Sequence, residues 1–586
     1  SRSCCVQKRF WYSVPAVMDA SASSASANVV SGGLKENLHV RLTVPPQQVQ
    51  EGAFVIIEGG EWQFYGLVTD LLLGATDPRF ADEQSEARLG ADLARLLHGQ
   101  TLYTNLEVLP TLMLEGGPEP GAPEYAQWRA EHLEDPHVLP IKTIPSHHAP
   151  VRLAQAEDIA LIFGDASKKG NFVIGYTREQ NHPVCVNLKN LVQRSAGVFG
   201  ATGTGKSFLT RIVLAGLIHY DAASVLVFDM HNEYGFDDTS SDTGLSVPGL
   251  KHKFPARVRV VGLGGGAQIR GQMPDFNLEI GMDDIMPADI ELLTQELNLK
   301  ETTPTTLEAL YNSFGRAWFH SFRQMLHGAM IEFTDENGKT RKVPHPDSVA
   351  AWANENGVNV LAAEGLHSKL NRLFSKPYIV EQPAADSIGE IIKALEAKQH
   401  VVLSFGDHET DLDYLLVSNL LTRRIREAWE KRTNAFRSGK SGEPHPLVIV
   451  VEEAHKLLNR AMAAQTTFST IAREMRKYYV TLLIIDQRPS QIYDEVMSQL
   501  GTRISGWLGD EDDIHAVLSG LASRDALRGM LARLQPKEEV LLLGWGVPMP
   551  LPVRSRRYDD KFWEELLGRS GGKRSTQQIT SDLGYD

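Results

Sequence analysis

The chain has 586 residues, 42% of them hydrophobic, with 73 acidic and 59 basic side chains and a formal net charge of −14. Such a length supports two to four domains with ample cores, and the acidic balance excludes a protein coated in basic surface. Three cysteines (Cys4, Cys5 and Cys185) and no long apolar run exclude a disulfide framework, a cysteine zinc site and a membrane helix, so a reducing cytoplasmic location is expected. Acidity does not exclude nucleic acid held in a channel, where only the lining must be positive.

In chain order, residues 1–30 read as a disordered tail, because Asp19 to Asn28 is mostly Ala and Ser. The basic pair Lys8-Arg9 and the aromatics Phe10-Trp11-Tyr12 resemble a signal peptide, but Pro15 and Asp19 cut the apolar run short. The first residue is not Met, and Met18 is the expected start. From about Asn37 to Phe163, short alternating segments predict a small β-barrel: Leu38 to Leu42, Phe54 to Ile57, Phe64 to Val68 and Thr101 to Leu109. Glu58-Gly59-Gly60-Glu61 predicts a hairpin turn, and Glu83 to Leu97 predicts a helical excursion.

An α/β block follows. Apolar runs at 195–199, 224–228, 400–405, 447–451 and 481–485 are each followed by loop and helix-like sequence, the pattern of a buried parallel sheet. Between the second and third runs, residues 246–395 predict a helical insert with helices near 288–297, 305–327 and 365–374. The end of the chain, from 559, reads as a polar tail.

The octapeptide Gly200-Ala201-Thr202-Gly203-Thr204-Gly205-Lys206-Ser207 joins the first run to an amphipathic helix that opens with Phe208. Glycines let backbone N–H groups curl around phosphate oxygens, and the helix N-terminus adds partial positive charge. Lys206 is then expected to reach the β- and γ-phosphates of ATP, and Ser207 to ligate the Mg²⁺ between them. Leu447 to Glu453 ends an apolar strand in two acids, a Walker B pattern. Glu452 would orient the metal's water, and Glu453 would accept a hydrogen bond from the attacking water. Read alone, two acids there are a solvated strand end. Gln487, after the run 481–485, is the candidate γ-phosphate sensor; the alternative is a helix cap. Arg473 and Arg476 lie on one short helical end with Lys477, ordinarily a solvated face. In an oligomeric ATPase one such Arg reaches the neighbour's γ-phosphate; Arg476 is the candidate and Arg473 the reserve. Asp229 and Glu233, at the end of the second run, are candidate site residues assisting metal-bound water or subunit coupling. His231, without a partner at ligand spacing, reads as a structural histidine, and His147-His148 lacks the company of a metal motif.

Taken together, these strings resemble the HerA–FtsK superfamily of P-loop motors, and the HerA group most closely. The resemblance rests on 200–207, Asp229-x-His231-x-Glu233-Tyr234, Val451-Glu452-Glu453-Ala454-His455, Arg473-Glu474-Met475-Arg476-Lys477 and Gln487-Arg488-Pro489-Ser490. It extends to the segments around Gly52 to Val55 and Tyr65 to Val68, similar to the family's N-terminal barrel. The chain departs from the family at Asn232 and Met475, where Gly is frequent, and at Glu452, where Asp is usual.

The resemblance implies an α/β fold: a RecA-like P-loop ATPase core with a parallel sheet, an N-terminal barrel and an inserted helical subdomain. The implied domains are 1–30 tail, 31–165 barrel, 166–245 first part of the core, 246–395 helical insert, 396–558 second part of the core and 559–586 tail. It further implies a homohexameric ring that translocates on double-stranded DNA through a central pore, with a NurA-like nuclease on the barrel face, in DNA end processing. ATP would sit between subunits, with Lys206, Ser207 and Glu453 from one and Arg476 from the next. Arg194 matches a basic position that the family directs at nucleotide, and Trp545-Gly546 lies in a C-terminal element near it. Asp335 to Gly338 could turn a hairpin carrying Lys339, Arg341 and Lys342 toward DNA, although a solvated loop fits equally. The rival readings are a conjugation- or secretion-type ATPase of the same superfamily and a nucleotide-dependent scaffold that threads DNA.

Overall fold

The computed structural model describes residues 27–568 apart from 35, 45, 76–101, 118–122, 135–137, 240–243, 245, 335–337, 463–465 and 522. The chain divides into two compact units: the first holds residues to 48, 55–116 and 140–153, and the second holds the remainder.

The first unit is a closed antiparallel barrel. Its strands follow the order Leu38–Leu42, Ala27–Ser31, Pro150–Leu153, Phe54–Glu58, Trp62–Ala75 and Leu102–Glu115, and the last pairs back with the first. Alternation drives it: in Leu38–Leu42 the residues Leu38, Val40 and Leu42 are buried while His39 and Arg41 face outward. Among the described residues, closure pairs the first and last strands of the wall, so neither is left as a free edge. The turn at Gly59-Gly60 forms as the sequence predicts: Gly59 N–H donates to Trp62 O at 2.9 Å and Gly60 takes φ 84°. Strand Ala27–Ser31 begins inside the stretch read as tail, and residues 1–26 lie outside the described residues. The helical excursion at 83–97 lies outside the described residues.

The second unit is built on a twelve-stranded sheet. Eight strands are parallel, in the order Phe276–Leu278, Val258–Leu263, His400–Ser404, Ser224–Asp229, Leu447–Glu452, Val480–Asp486, Ala196–Phe199 and Thr502–Ser505. Four antiparallel strands complete it: Glu539–Gly544, Leu551–Ser555, Asn171–Tyr176 and Pro183–Asn187. Ser224–Asp229, Leu447–Glu452 and Val480–Asp486 are buried along their whole length. That is why they read as unbroken apolar runs rather than alternating ones.

Two strands of this sheet, Val258–Leu263 and Phe276–Leu278, fall within the predicted helical insert. Their runs are short and interrupted by Gly262 and by the glycines 264–266, which hid them from a periodicity argument. Beyond them the insert is helical, with Thr303–Phe314, Trp318–Gln324, Val349–Glu355, Val360–Phe374 and Ser387–Glu396 around buried Trp318, Phe319, Phe322 and Leu370. A short parallel pair, Ile280–Gly281 with Ile379–Val380, and an exposed ribbon, Met330–Thr334 against Thr340–Pro344, interrupt it. The ribbon's turn at 335–337 lies outside the described residues. The segment read as a C-terminal tail opens with a helix, Asp560–Gly568, whose Phe562, Trp563 and Leu566 are buried.

The longest helix, Asp411–Arg437, starts where Thr410 caps it by accepting from Asp413 N–H, with Asp411 and Asp413 in its first turn. It brings Tyr414 beneath the acidic end of strand Leu447–Glu452, which matters for the site.

Candidate nucleotide site

The parallel strands point their C-terminal ends to one edge of the sheet, and the loops there carry most of the predicted chemistry. From Ala196–Phe199 the chain turns through Gly200 to Gly205 into helix Lys206–His219. Gly203 and Gly205 adopt φ 75° and 88°, conformations that a side chain would strain. Thr204 Oγ1 donates to Ala201 O at 2.7 Å, and Lys206 Nζ donates to the same carbonyl at 3.2 Å, so the lysine folds back over the loop. Burial pulls the Lys206 pKa down, opposed by Glu453, Asp486, Glu452 and Glu233. Phe208 follows on the first turn, half-buried.

Glu452 closes its strand and is only 7% exposed. Tyr234 Oη donates to Glu452 Oε1 at 2.6 Å, and Tyr414 Oη donates to the Glu452 carbonyl at 2.8 Å. Among the described residues, Glu452 Oε2 is buried without a hydrogen-bond partner. Burial, reinforced by Asp229, holds the Glu452 carboxyl well above the usual carboxylate range. An orphaned buried oxygen among acids is what a hard divalent cation requires. With the Ser207 hydroxyl on the first helical turn, the donor set fits Mg²⁺. A nucleotide's phosphates fit the glycine turn.

Glu453 takes φ 46°, a left-handed conformation that is costly for a side chain of this size. Its two oxygens receive Gln487 Nε2 at 3.4 Å each, and Gln487 Oε1 accepts from Thr202 Oγ1 at 2.6 Å. Behind it, His455 Nδ1 lies 3.0 Å from Asp486 Oδ2 and 3.6 Å from Glu453 Oε2. The hydrogen bond to Asp486 raises the His455 pKa.

Asp229 departs from its predicted part. It is fully buried, and its carboxylate accepts from the N–H groups of Glu233 at 2.7 Å, Tyr234 at 2.9 Å and Gly235 at 3.4 Å. Burial pushes its pKa up to about 6. With both oxygens engaged by backbone, Asp229 builds the turn rather than offering a metal ligand. Asn232 in that turn adopts φ 56° and exchanges two hydrogen bonds with Gly406, at 3.2 and 3.0 Å. Asn tolerates the left-handed region that glycine ordinarily fills, so the departure from the expected Gly is accommodated. Met475, the other departure, has φ −76° and needs no glycine. His231 is exposed and therefore not a core histidine.

The remaining predicted residues lie at the opposite edge, where the parallel strands begin. Arg476 sits in the turn Met475–Tyr478 ahead of strand Val480–Asp486, while Gln487 follows that strand. Seven residues at about 3.3 Å each put roughly 20 Å between the two ends. Arg194 precedes the P-loop strand and lies over the Trp545 ring at 4.5 Å, with Trp545 51% exposed. Arg194, Arg476 and Trp545 line a cleft of about 1020 Å³ with Lys189 and Lys398. Arg473 is tied to Glu495 at 3.3 Å. Gly546 is compelled by packing, since a Cβ there would meet Thr502 Oγ1 at 1.9 Å. Arg194, Trp545 and Gly546 therefore do not join the P-loop within one chain.

Sequence reasoning assigned no part to Tyr414 or Asp486, and none to Tyr234 or His455 beyond membership of a string. Buried tyrosines read as packing, and nothing in a helix's sequence says which phenol meets a strand end 38 residues later.

Residues 172–425 match the family model described as "Helicase HerA, central domain". The DNA double-strand break repair helicase HerA of Sulfurisphaera tokodaii is 22% identical over 520 residues, covering 88% of this chain and 90% of that relative. The protein of the same description from Saccharolobus solfataricus is 23% identical over 532 residues, covering 90% and 91%. Among solved structures, VirB4 of Thermoanaerobacter pseudethanolicus overlays with a TM-score of 0.41 at 16% identity, covering 67% of this chain and 98% of that one.

Proposed function

We propose that the chain, whose residues 172–425 match the HerA central-domain model, is a HerA-type helicase of the HerA–FtsK superfamily of P-loop ATPases, a ring-forming ATPase that moves along double-stranded DNA during break repair. Lys206, Ser207 and the P-loop amides hold ATP and Mg²⁺, Glu453 aligns the attacking water and Gln487 reads the γ-phosphate. Arg476 belongs to the neighbouring copy's site, with Arg194 and Trp545 beside it. The observation that carries this reading is the separation of the phosphate-binding edge from the arginine edge by roughly 20 Å within one chain. A head-to-tail contact between copies brings opposite edges together, and a heterologous contact that closes is a ring. A homohexamer with DNA in its pore, and a NurA-like nuclease docked on the barrel unit, follow from the family's organisation.

Turnover measured against protein concentration, with and without linear duplex, tests the reading. Cooperative dependence on concentration and stimulation by duplex are expected. Full turnover by a dilute monomer would end the shared-site reading, and no response to duplex would favour a threading scaffold over a motor. Imaging with nucleotide and DNA bound reads the ring directly.

A further inference from the structure

The Walker B acid of this chain is a glutamate, one methylene longer than aspartate, and a longer side chain has one more torsion to fix. Among the described residues its carboxylate nevertheless has a single anchor. Tyr234 Oη donates to Oε1 at 2.6 Å, and Oε2 has no partner although it is buried. Tyr234 is itself fully buried and its position is over-determined. Asp229 accepts three backbone N–H groups to shape the turn that delivers it, and Asn232 clasps Gly406 across the same turn. Tyr414 holds the Glu452 backbone from the other side. The turn, the long helix and the strand thus converge on one carboxylate and leave one of its oxygens open.

We propose that Tyr234 is a positioning residue: its phenol pins Glu452 Oε1 so that Oε2 faces the hydrated Mg²⁺ of a bound nucleotide. The inference rests on the nucleotide-site reading above. A phenol suits the task because it donates to a carboxylate without adding charge among Asp229, Glu233 and Glu453. Partners that orient a metal-binding group are worth about 10–100-fold in metal affinity or activity.

The test uses the full chain and a fluorescent N-methylanthraniloyl-ADP probe, titrated with Mg²⁺ and separately with EDTA. Tyr234→Phe keeps the ring and removes only the hydroxyl. The expected result is unchanged affinity in EDTA, a weaker Mg²⁺-dependent gain, and a rise of about 10-fold or more in the Mg²⁺ needed for half-maximal binding. Glu452→Gln should shift Mg²⁺ dependence in the same direction, and adding Tyr234→Phe to it should cost nothing further, because both act through one carboxylate. Wild-type Mg²⁺ dependence in Tyr234→Phe, or equal losses in Mg²⁺ and EDTA, overturns the proposal. So does a Glu452→Gln protein with unaltered Mg²⁺ dependence, a result that stands even if Tyr234→Phe does not fold. A wild-type chain that does not bind the probe would instead refute the nucleotide site itself, which Lys206→Ala checks independently.

Discussion

Thr202 of the P-loop donates its hydroxyl to Gln487 at 2.6 Å while the amide nitrogen of Gln487 faces both oxygens of Glu453. One amide therefore joins the phosphate loop to the residue proposed to align water. Glu453→Gln should lower ATP turnover by about 10²–10⁴-fold and leave nucleotide affinity nearly unchanged. Steady-state hydrolysis beside probe binding checks this, and retained turnover would mean another group handles the water.

Arg476→Ala should abolish turnover although the residue stands at the far end of the sheet. Mixing it with Lys206→Ala protein should restore part of the activity, because some interfaces then combine an intact loop with an intact arginine. No recovery in particles shown by mass to contain both chains would argue against a shared site.

His455 makes stability depend on pH. Its pKa is raised above 6.5, first by the hydrogen bond to Asp486 and opposed by burial, with Glu453 adding attraction and Lys456 repulsion. A raised folded-state value means that the protonated imidazole contributes stability fully below about pH 6.5 and loses it as pH climbs through the folded value. The unfolding midpoint of wild type minus that of His455→Gln should therefore be larger at pH 6 than at pH 9. A difference independent of pH would show that the pair is not ionic.

Asn232 should resist substitution by alanine more than by glycine. Asn232→Ala loses both bonds to Gly406 and keeps a Cβ at φ 56°, a cost of about 2–4 kcal/mol. Asn232→Gly removes the steric part and should cost roughly half as much. Urea unfolding ranks the two, and equal losses would discount the backbone term.

The ribbon Met330–Thr334 and Thr340–Pro344 exposes Arg341 and Lys342, with Lys339 just ahead of it. If it meets DNA, replacing all three cations with Ala should weaken duplex binding and reduce the slope of log affinity against log salt by about 3. An unchanged slope removes the ribbon from the DNA path.

Much of this protein was decided locally. A glycine turn between an apolar run and a helix announces phosphate binding because backbone conformation there depends on neighbours in sequence, and Gly203 and Gly205 take the left-handed angles that the string implies. The five predicted core strands are legible for a related reason: a strand buried on both faces must be apolar throughout. What distant residues do to one another was not legible. Asp229 reads as a helper of metal-bound water until its oxygens are found engaged by backbone, and no sequence window shows that Tyr234 and Tyr414 both reach Glu452. The separation of Arg194, Arg476 and Trp545 from the P-loop depends on which strands neighbour which and where each begins. Pairing across a sheet is set by burial summed over the whole core, and no window of sequence contains that sum.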